Sequence, residues 1–213
     1  MRIRWRSVTA ALLTACAVGA GQEWEVNGLA GGGAYRNLDM ANRFGRAAVG
    51  FTPGALFGAS LVQHYYRHVS GEIRWTFQRS DLKVASGAET AKFRGSAHAI
   101  HYDWLIHAQP REALVRPFFA VGAGFRNYRG TGSERAYQPL SQFALLTRTT
   151  EWQPLVSLGG GARVRLSPRI SLAAEFRDYL TPFPRKVIEP VGGVRLDRWL
   201  HDLVPSLAVG IRF

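Results

Sequence analysis

Between Val69 and Gln78 the chain alternates with a period of two. Val69, Gly71, Ile73, Trp75 and Phe77 fall on one face; Ser70, Glu72, Arg74, Thr76 and Gln78 fall on the other. Side chains on a strand point alternately to opposite sides, whereas a helix repeats near 3.6 residues. The segment therefore predicts a strand with one apolar and one charged face. Leu207, Val209, Ile211 and Phe213 alternate in the same way with Ser206, Ala208, Gly210 and Arg212. Ile170, Leu172, Ala174 and Phe176 do so with Ser171, Glu175 and Arg177. Trp152, Pro154, Val156 and Leu158 oppose Gln153, Ser157 and, further along, Arg163 and Arg165.

Eight strands are predicted in all, at roughly 23–36, 54–65, 69–82, 91–107, 114–129, 150–166, 169–180 and 203–213. Each is long enough to cross a bilayer as a tilted strand, which takes about 10 residues. The connections 66–68, 108–113 and 167–168 are short; 37–53, 83–90, 130–149 and 181–202 are longer. Short turns on one side and long loops on the other, with both ends of the chain on the turn side, is the pattern of an even-stranded membrane barrel.

Alternation does not say which face meets lipid, since a soluble sandwich shows it with the faces reversed. The start of the chain bears on this. Arg2, Arg4 and Arg6 precede an apolar run from Val8 to Val18, and Val18-Gly19-Ala20 supplies small residues before Gly21. A basic segment, a short apolar run and a small-residue cleavage site make an export signal. We expect a cleaved signal over 1–20 and a single domain over 21–213. A competing reading is lipidation at Cys16, because Leu13-Thr14-Ala15-Cys16 resembles a lipoprotein processing box. Cys16 is the single cysteine, so cleavage after it leaves no disulfide framework. An exported chain can span a membrane without an apolar helix if its strands close, because closure pairs every backbone group.

Hydrophobic residues at 46% and charged residues at 20% exclude a disordered chain and suit a barrel equally well. The formal charge of +12 is almost all arginine, with Lys83, Lys92 and Lys186 the only lysines. The arginines are dispersed rather than gathered in a run, so no nucleic-acid partner is expected. Lipid phosphates are the more natural polyanion, since arginine binds phosphate well. The segment Pro182-Phe183-Pro184-Arg185-Lys186 reads as loop, or as a basic contact for such phosphates.

The segment Leu207-Ala208-Val209-Gly210-Ile211-Arg212-Phe213 resembles the C-terminal sorting signal of bacterial outer-membrane proteins, with Leu207, Val209, Ile211 and Phe213 as its signature residues. The expected mature chain is similar to the small eight-stranded OmpA/OmpX-type barrels, without a peptidoglycan-binding domain after Phe213. The resemblance implies an all-β, eight-stranded, antiparallel up-and-down transmembrane β-barrel of the Gram-negative outer membrane. It implies a structural or surface-interaction role and a monomer. It also implies outer-membrane lipid and lipopolysaccharide as surroundings, and periplasmic chaperones and the barrel-assembly machinery as partners of the last strand.

An eight-stranded barrel has a bore that side chains just fill. Glu25, Glu72, Arg74, His101, Asp103, Arg163, Arg165, Glu175, Arg177 and Arg212 are predicted to point inward. Buried charges are tolerated only when paired. We therefore expect an interior ion-pair network of Glu72, Arg74, Asp103, Arg163, Glu175 and Arg177, blocking passage rather than selecting ions. A narrow pore is the alternative. A lipid A-modifying enzyme would need Ser, His and acid on one face. Ser96 and His98 share one face of their strand, and His101 and Asp103 the other. A soluble lipocalin-like binder would need an apolar interior. His64, His68, His98, His101, His107 and His201 show no compact metal-ligand spacing, and Gly122-Ala123-Gly124 is too short for a phosphate loop. No catalytic, cofactor or metal site is expected.

Three further features stay open from sequence. Gly31–Gly33 and Gly159–Gly161 suggest bends or close backbone approach, or loop glycine. Trp24, Tyr65, Tyr66, Trp104, Tyr128, Trp152 and Tyr179 suit either interfacial girdles or an ordinary core. Tyr137, Phe143 and Leu145 in 130–149 suit either a recognition surface or packing on the barrel mouth.

Overall fold

The computed structural model describes residues 23–133, 137–191, 196 and 198–213. The expected export signal and both readings of its processing lie outside the described residues. In chain order the strands are β1 (Glu23–Arg36), β2 (Leu38–Asn42), β3 (Gly45–Phe51), β4 (Gly54–His64), β5 (Val69–Arg79), β6 (Leu82–Ser86) and β7 (Glu89–Phe93). Then come β8 (Gly95–His107), β9 (Val115–Gly130), β10 (Ala144–Leu146), β11 (Thr150–Arg165), β12 (Ile170–Pro182), β13 (Ile188–Pro190) and β14 (Trp199–Arg212).

Eight of them close into a barrel in the order β1-β14-β12-β11-β9-β8-β5-β4. β1 closes the ring by pairing antiparallel with both β4 and β14, with Glu25 opposite Val62 on one side and Arg212 on the other. The seam continues past β14, where Trp24 and Phe213 exchange backbone hydrogen bonds of 3.1 and 3.0 Å. A closed sheet leaves no unpaired edge, which is the condition for strands to cross lipid.

The faces sort as a membrane requires. Ile73, Trp75, Ile100, Phe119, Phe125, Phe176, Leu207, Val209 and Ile211 are exposed on the outer wall, while Glu25, Glu72, Arg74, Asp103, Arg163 and Arg177 are fully buried in the bore. This inverts the distribution of a soluble protein, whose charged residues are almost never buried.

All four long connections differ from expectation. Residues 37–53, 83–90, 130–149 and 181–202, read as loops, all carry strand: β2, β3, β6 and β7 form a separate four-stranded sheet, β10 pairs with β13, and β14 begins at Trp199. The predicted strand over 69–82 is interrupted after Arg79, and that over 91–107 is interrupted at Arg94. The period of two continues through both breaks, so the sequence gives little sign of them. Beyond the breaks, however, the buried residues are apolar rather than charged. Leu38, Met40, Val49, Phe51, Leu82, Val84 and Phe93 pack with Phe143, Leu146, Phe183, Ile188 and Leu200 in one apolar core, the core of a cap that the β2-β3-β6-β7 sheet and the β10–β13 pair form on the long-loop end of the barrel. Lacking lipid on its other side, this sheet follows the rule for soluble sheets, apolar inward and polar outward. The β6–β7 turn carries Gly87 at φ 57°, a left-handed conformation that glycine adopts without strain.

Candidate functional site

The bore is filled in three tiers. At the turn end Glu25 is the hub. Its Oε1 accepts hydrogen bonds from Arg163 Nη1 at 2.7 Å and Ser171 Oγ at 2.8 Å, and its Oε2 accepts one from Arg212 Nε at 3.1 Å. His64 Nε2 lies 3.7 Å from Oε2. Ser70 Oγ links the rings of His64 and His107 at 2.8 and 3.1 Å. Buried Arg116 stands opposite Arg163 in the β9–β11 ladder and donates to the Arg67 carbonyl.

The middle tier holds three carboxylates and two guanidiniums. Arg74 Nη2 donates to Glu72 Oε1 at 3.0 Å and Glu175 Oε2 at 2.6 Å. Arg177 donates to Asp103 Oδ2 at 2.8 Å, Glu72 Oε2 at 3.0 Å and Glu175 Oε2 at 3.1 Å. His101 Nδ1 stands 3.0 Å from Asp103 Oδ2, off the hydrogen-bonding direction, while its Nε2 meets the Tyr179 hydroxyl at 3.2 Å. Charge-assisted bonds of this kind are the strong ones, and here they bind β5, β8 and β12 across the bore.

The third tier lies beneath the cap. Arg126 Nη2 donates to Asp202 Oδ2 at 2.7 Å and to the Tyr35 hydroxyl and Gln78 Oε1 at 2.5 Å each. Its guanidinium sits over the rings of Tyr35, Tyr128 and Tyr179, 5.2 to 5.6 Å from their centroids. Tyr35 and Tyr128 then flank Phe51, at 4.9 and 5.1 Å between centroids, joining this tier to the apolar core of the cap.

Of the six residues named from sequence as one network, Glu72, Arg74, Asp103, Glu175 and Arg177 lie together. Arg163 belongs to the separate Glu25 tier. Arg165 reaches only the rim, where it donates to the Glu112 carbonyl at 2.6 Å. In that same turn the Glu112 carboxyl is held below its ordinary range, first by its own backbone amide and then by the Arg67 guanidinium. The Arg126–Asp202 tier was not anticipated. The inward parity of Arg126 with Gly122 and Gly124 was the available signal, and Asp202 lay in a segment read as loop.

The glycine runs make room for these charges. Gly159 and Gly161 face the bore opposite Arg177 and Glu175; Gly122 and Gly124 do so opposite Asp103 and His101. A Cβ at Gly159 would meet the Phe176 carbonyl oxygen first and fall 2.8 Å from both Cα and Cδ of Arg177.

On the outer wall Tyr65, Tyr102 and Trp104 cluster at the turn end, with the two hydroxyls 3.2 Å apart. Phe57, Phe77, Trp75 and Trp152 lie toward the loop end. The two clusters sit toward opposite ends of the wall, the spacing that aromatic girdles have. Tyr128 and Tyr179, considered with them from sequence, point into the bore instead. Ser96 and His98 lie on the outer wall while Asp103 lies in the bore, so these three do not converge. Leu207, Val209, Ile211 and Phe213 are exposed along the outer face of the last strand and its end. Among the described residues no group of His, Cys, Asp and Glu is arranged to hold a metal ion. In the 130–149 connection Phe143 is buried in the cap core and Tyr137 is exposed.

A closed antiparallel barrel with a charged bore, an apolar outer belt and aromatic clusters toward both ends has the architecture of the small transmembrane β-barrels. No protein-family model matches the chain, and no curated protein matches it. Solved structures do. Neisserial surface protein A (NspA) matches with a TM-score of 0.53 at 11% identity, over 91% of this chain and 100% of that one. The outer membrane protein OprG from Pseudomonas aeruginosa matches with a TM-score of 0.50 at 12% identity, over 91% of this chain and 96% of that one. The fold is that of the small outer-membrane barrels.

Proposed function

We propose that this chain is an integral protein of the bacterial outer membrane, with a bore closed to solutes and a working surface formed by the folded cap on the long-loop side. One observation carries the reading. The bulkiest fully buried side chains are the arginines Arg74, Arg116, Arg126, Arg163 and Arg177, with Glu25, Glu72, Asp103 and Asp202 buried among them, whereas the large exposed ones along the barrel wall are Ile, Leu, Val, Phe and Trp. Leaving such a belt in water would expose a contiguous apolar surface far beyond what soluble monomers tolerate. The likeness in fold to NspA and OprG supports the same location.

The role we assign is structural or surface-directed. Three stacked tiers of bonded side chains occupy the bore, and the apolar core of the cap covers its loop end. A hydrated path would have to break charge-assisted bonds in every tier. The end of the last strand and the residue after it, from Leu207 to Phe213, form the element we assign to recognition by the assembly machinery.

Fractionation of expressing cells tests the location, and a gel run with and without heating tests closure. We expect the protein in the outer membrane with a heat-modifiable band. A soluble product that does not shift on heating would overturn the reading. In planar bilayers the folded protein should give no steady open level, and a stable ohmic conductance would replace the closed bore with a pore.

A further inference from the structure

We infer that the outer wall formed by β5, β8, β9 and β11 is a binding site for a phosphorylated lipid of the leaflet on the loop side. This rests on the membrane reading above.

The ladder brings the residues together. Arg79 stands opposite Ser96, Ser96 opposite Arg129, and Arg129 opposite Thr150. All four have outward parity, and Arg79 and Arg129 are exposed. Among the described residues neither guanidinium pairs with a carboxylate. Two strand spacings put their Cα atoms about 10 Å apart, a gap that two arginine side chains can close on one phosphate from either side. Ser96 sits between them as a neutral hydrogen-bonding group.

The next outward row toward the turn end is Phe77, His98, Asn127 and Trp152, again paired strand by strand. Trp75, His98, Ala99, Ile100, Asn127 and Trp152 line a hollow of about 310 Å³ in the wall. The His98 ring leans on Phe77 at 4.8 Å and Trp75 at 6.2 Å between centroids. Below them lie exposed Ile100 and Phe125, part of the apolar belt. From loop end to turn end the wall therefore runs cationic, then polar with aromatic flanks, then apolar. Phosphate, linkage region and acyl chain of a membrane lipid come in the same order.

The arrangement is one-sided. Across the barrel the corresponding outward positions hold a single exposed arginine, Arg36, opposite His201, whose ring lies 2.8 Å from the Asp178 carboxylate, with Leu203 beside Asp178. A half-buried carboxylate there, paired with His201, disfavours phosphate, so the preference belongs to one wall.

The test uses full-length protein folded in detergent and titrated with bisphosphorylated lipid A or its dephosphorylated form, with bound lipid counted by native mass spectrometry. Arg79→Ala and Arg129→Ala should each weaken binding of the phosphorylated form by about tenfold, as for a lost charge-assisted bond. Arg36→Ala, on the opposite wall, should leave it unchanged. Heat-modifiability checks that every variant folds. A folded wild type that does not distinguish the two lipids overturns the site, as does a double variant R79A/R129A that binds like wild type. Equal competition by millimolar inorganic phosphate would reduce it to an anion site and overturn the lipid assignment. A wild type that fails to fold as a barrel would instead sink the membrane reading.

Discussion

Arg177 on β12 donates to Asp103 on β8 across the bore, Nη1 to Oδ2 at 2.8 Å. The same guanidinium bonds Glu72 and Glu175, so one cation joins carboxylates from three strands. With Arg74 it forms a cross-brace that fills the middle of the barrel with hydrogen-bonded charge.

Removing one member of such a brace strands the others. Arg177→Leu leaves Asp103 facing only His101 and leaves Glu72 and Glu175 to share Arg74. Breaking a buried pair costs about 3–5 kcal/mol, because the orphaned charge stays buried. Urea unfolding of the protein in lipid vesicles, followed by tryptophan fluorescence, should show that loss. Adding Asp103→Asn should cost less than its own single change does in the wild type, since the residues share one network. Independent, additive costs would mean that the brace is only filler.

The inward glycines should matter as much as the charges they face. Gly159→Ala would place a methyl group against the Phe176 carbonyl and Arg177, and overpacking of this kind costs about 1–3 kcal/mol. Gly28→Ala is the control, because its Cβ would point from the outer wall into open space. The same unfolding assay should separate the two. Equal effects would mean that β-propensity, rather than room in the bore, decides both.

The barrel itself was legible in sequence because lipid and a charged bore impose a strict period of two, and that period survives in Val69–Gln78, Ile170–Arg177 and Leu207–Phe213. Most of the bore charges follow from the same parity. Their grouping does not. Whether Arg163 meets Glu25 or Asp103 depends on strand stagger, which alternation along one strand does not encode. The cap was hidden for a different reason. Leu38, Met40, Val49, Phe51, Leu82 and Val84 alternate like barrel residues, but they face a core instead of lipid. Only the closed topology tells the two environments apart.

The cap should melt separately from the barrel. Phe51 is fully buried between Tyr35 and Tyr128, and Phe→Ala in a core costs about 3–5 kcal/mol. The cap is a small sheet with one apolar core, so Phe51→Ala should open it while the strand ladders beneath persist. Limited proteolysis should then cut within 37–53 or 82–93, and the heat-dependent gel shift should remain. Loss of the gel shift together with the cap would make the two a single cooperative unit.

The outer wall offers the most direct test of lipid contact. Leu207 is exposed on β14 between Ala30 of β1 and Ala174 of β12, well inside the apolar belt. An arginine on the lipid face near the bilayer midplane costs about 2–4 kcal/mol, falling to about 0–1 near an interface. Leu207→Arg should therefore destabilise the vesicle-folded protein strongly. Ile170→Arg, at the turn end of β12, should do so weakly. In water neither position would oppose a charge, since both side chains are already exposed. A depth-dependent pair of costs identifies the solvent around Leu207 as hydrocarbon. Two costs near zero would mean that this wall faces water, and the membrane assignment would fall with them.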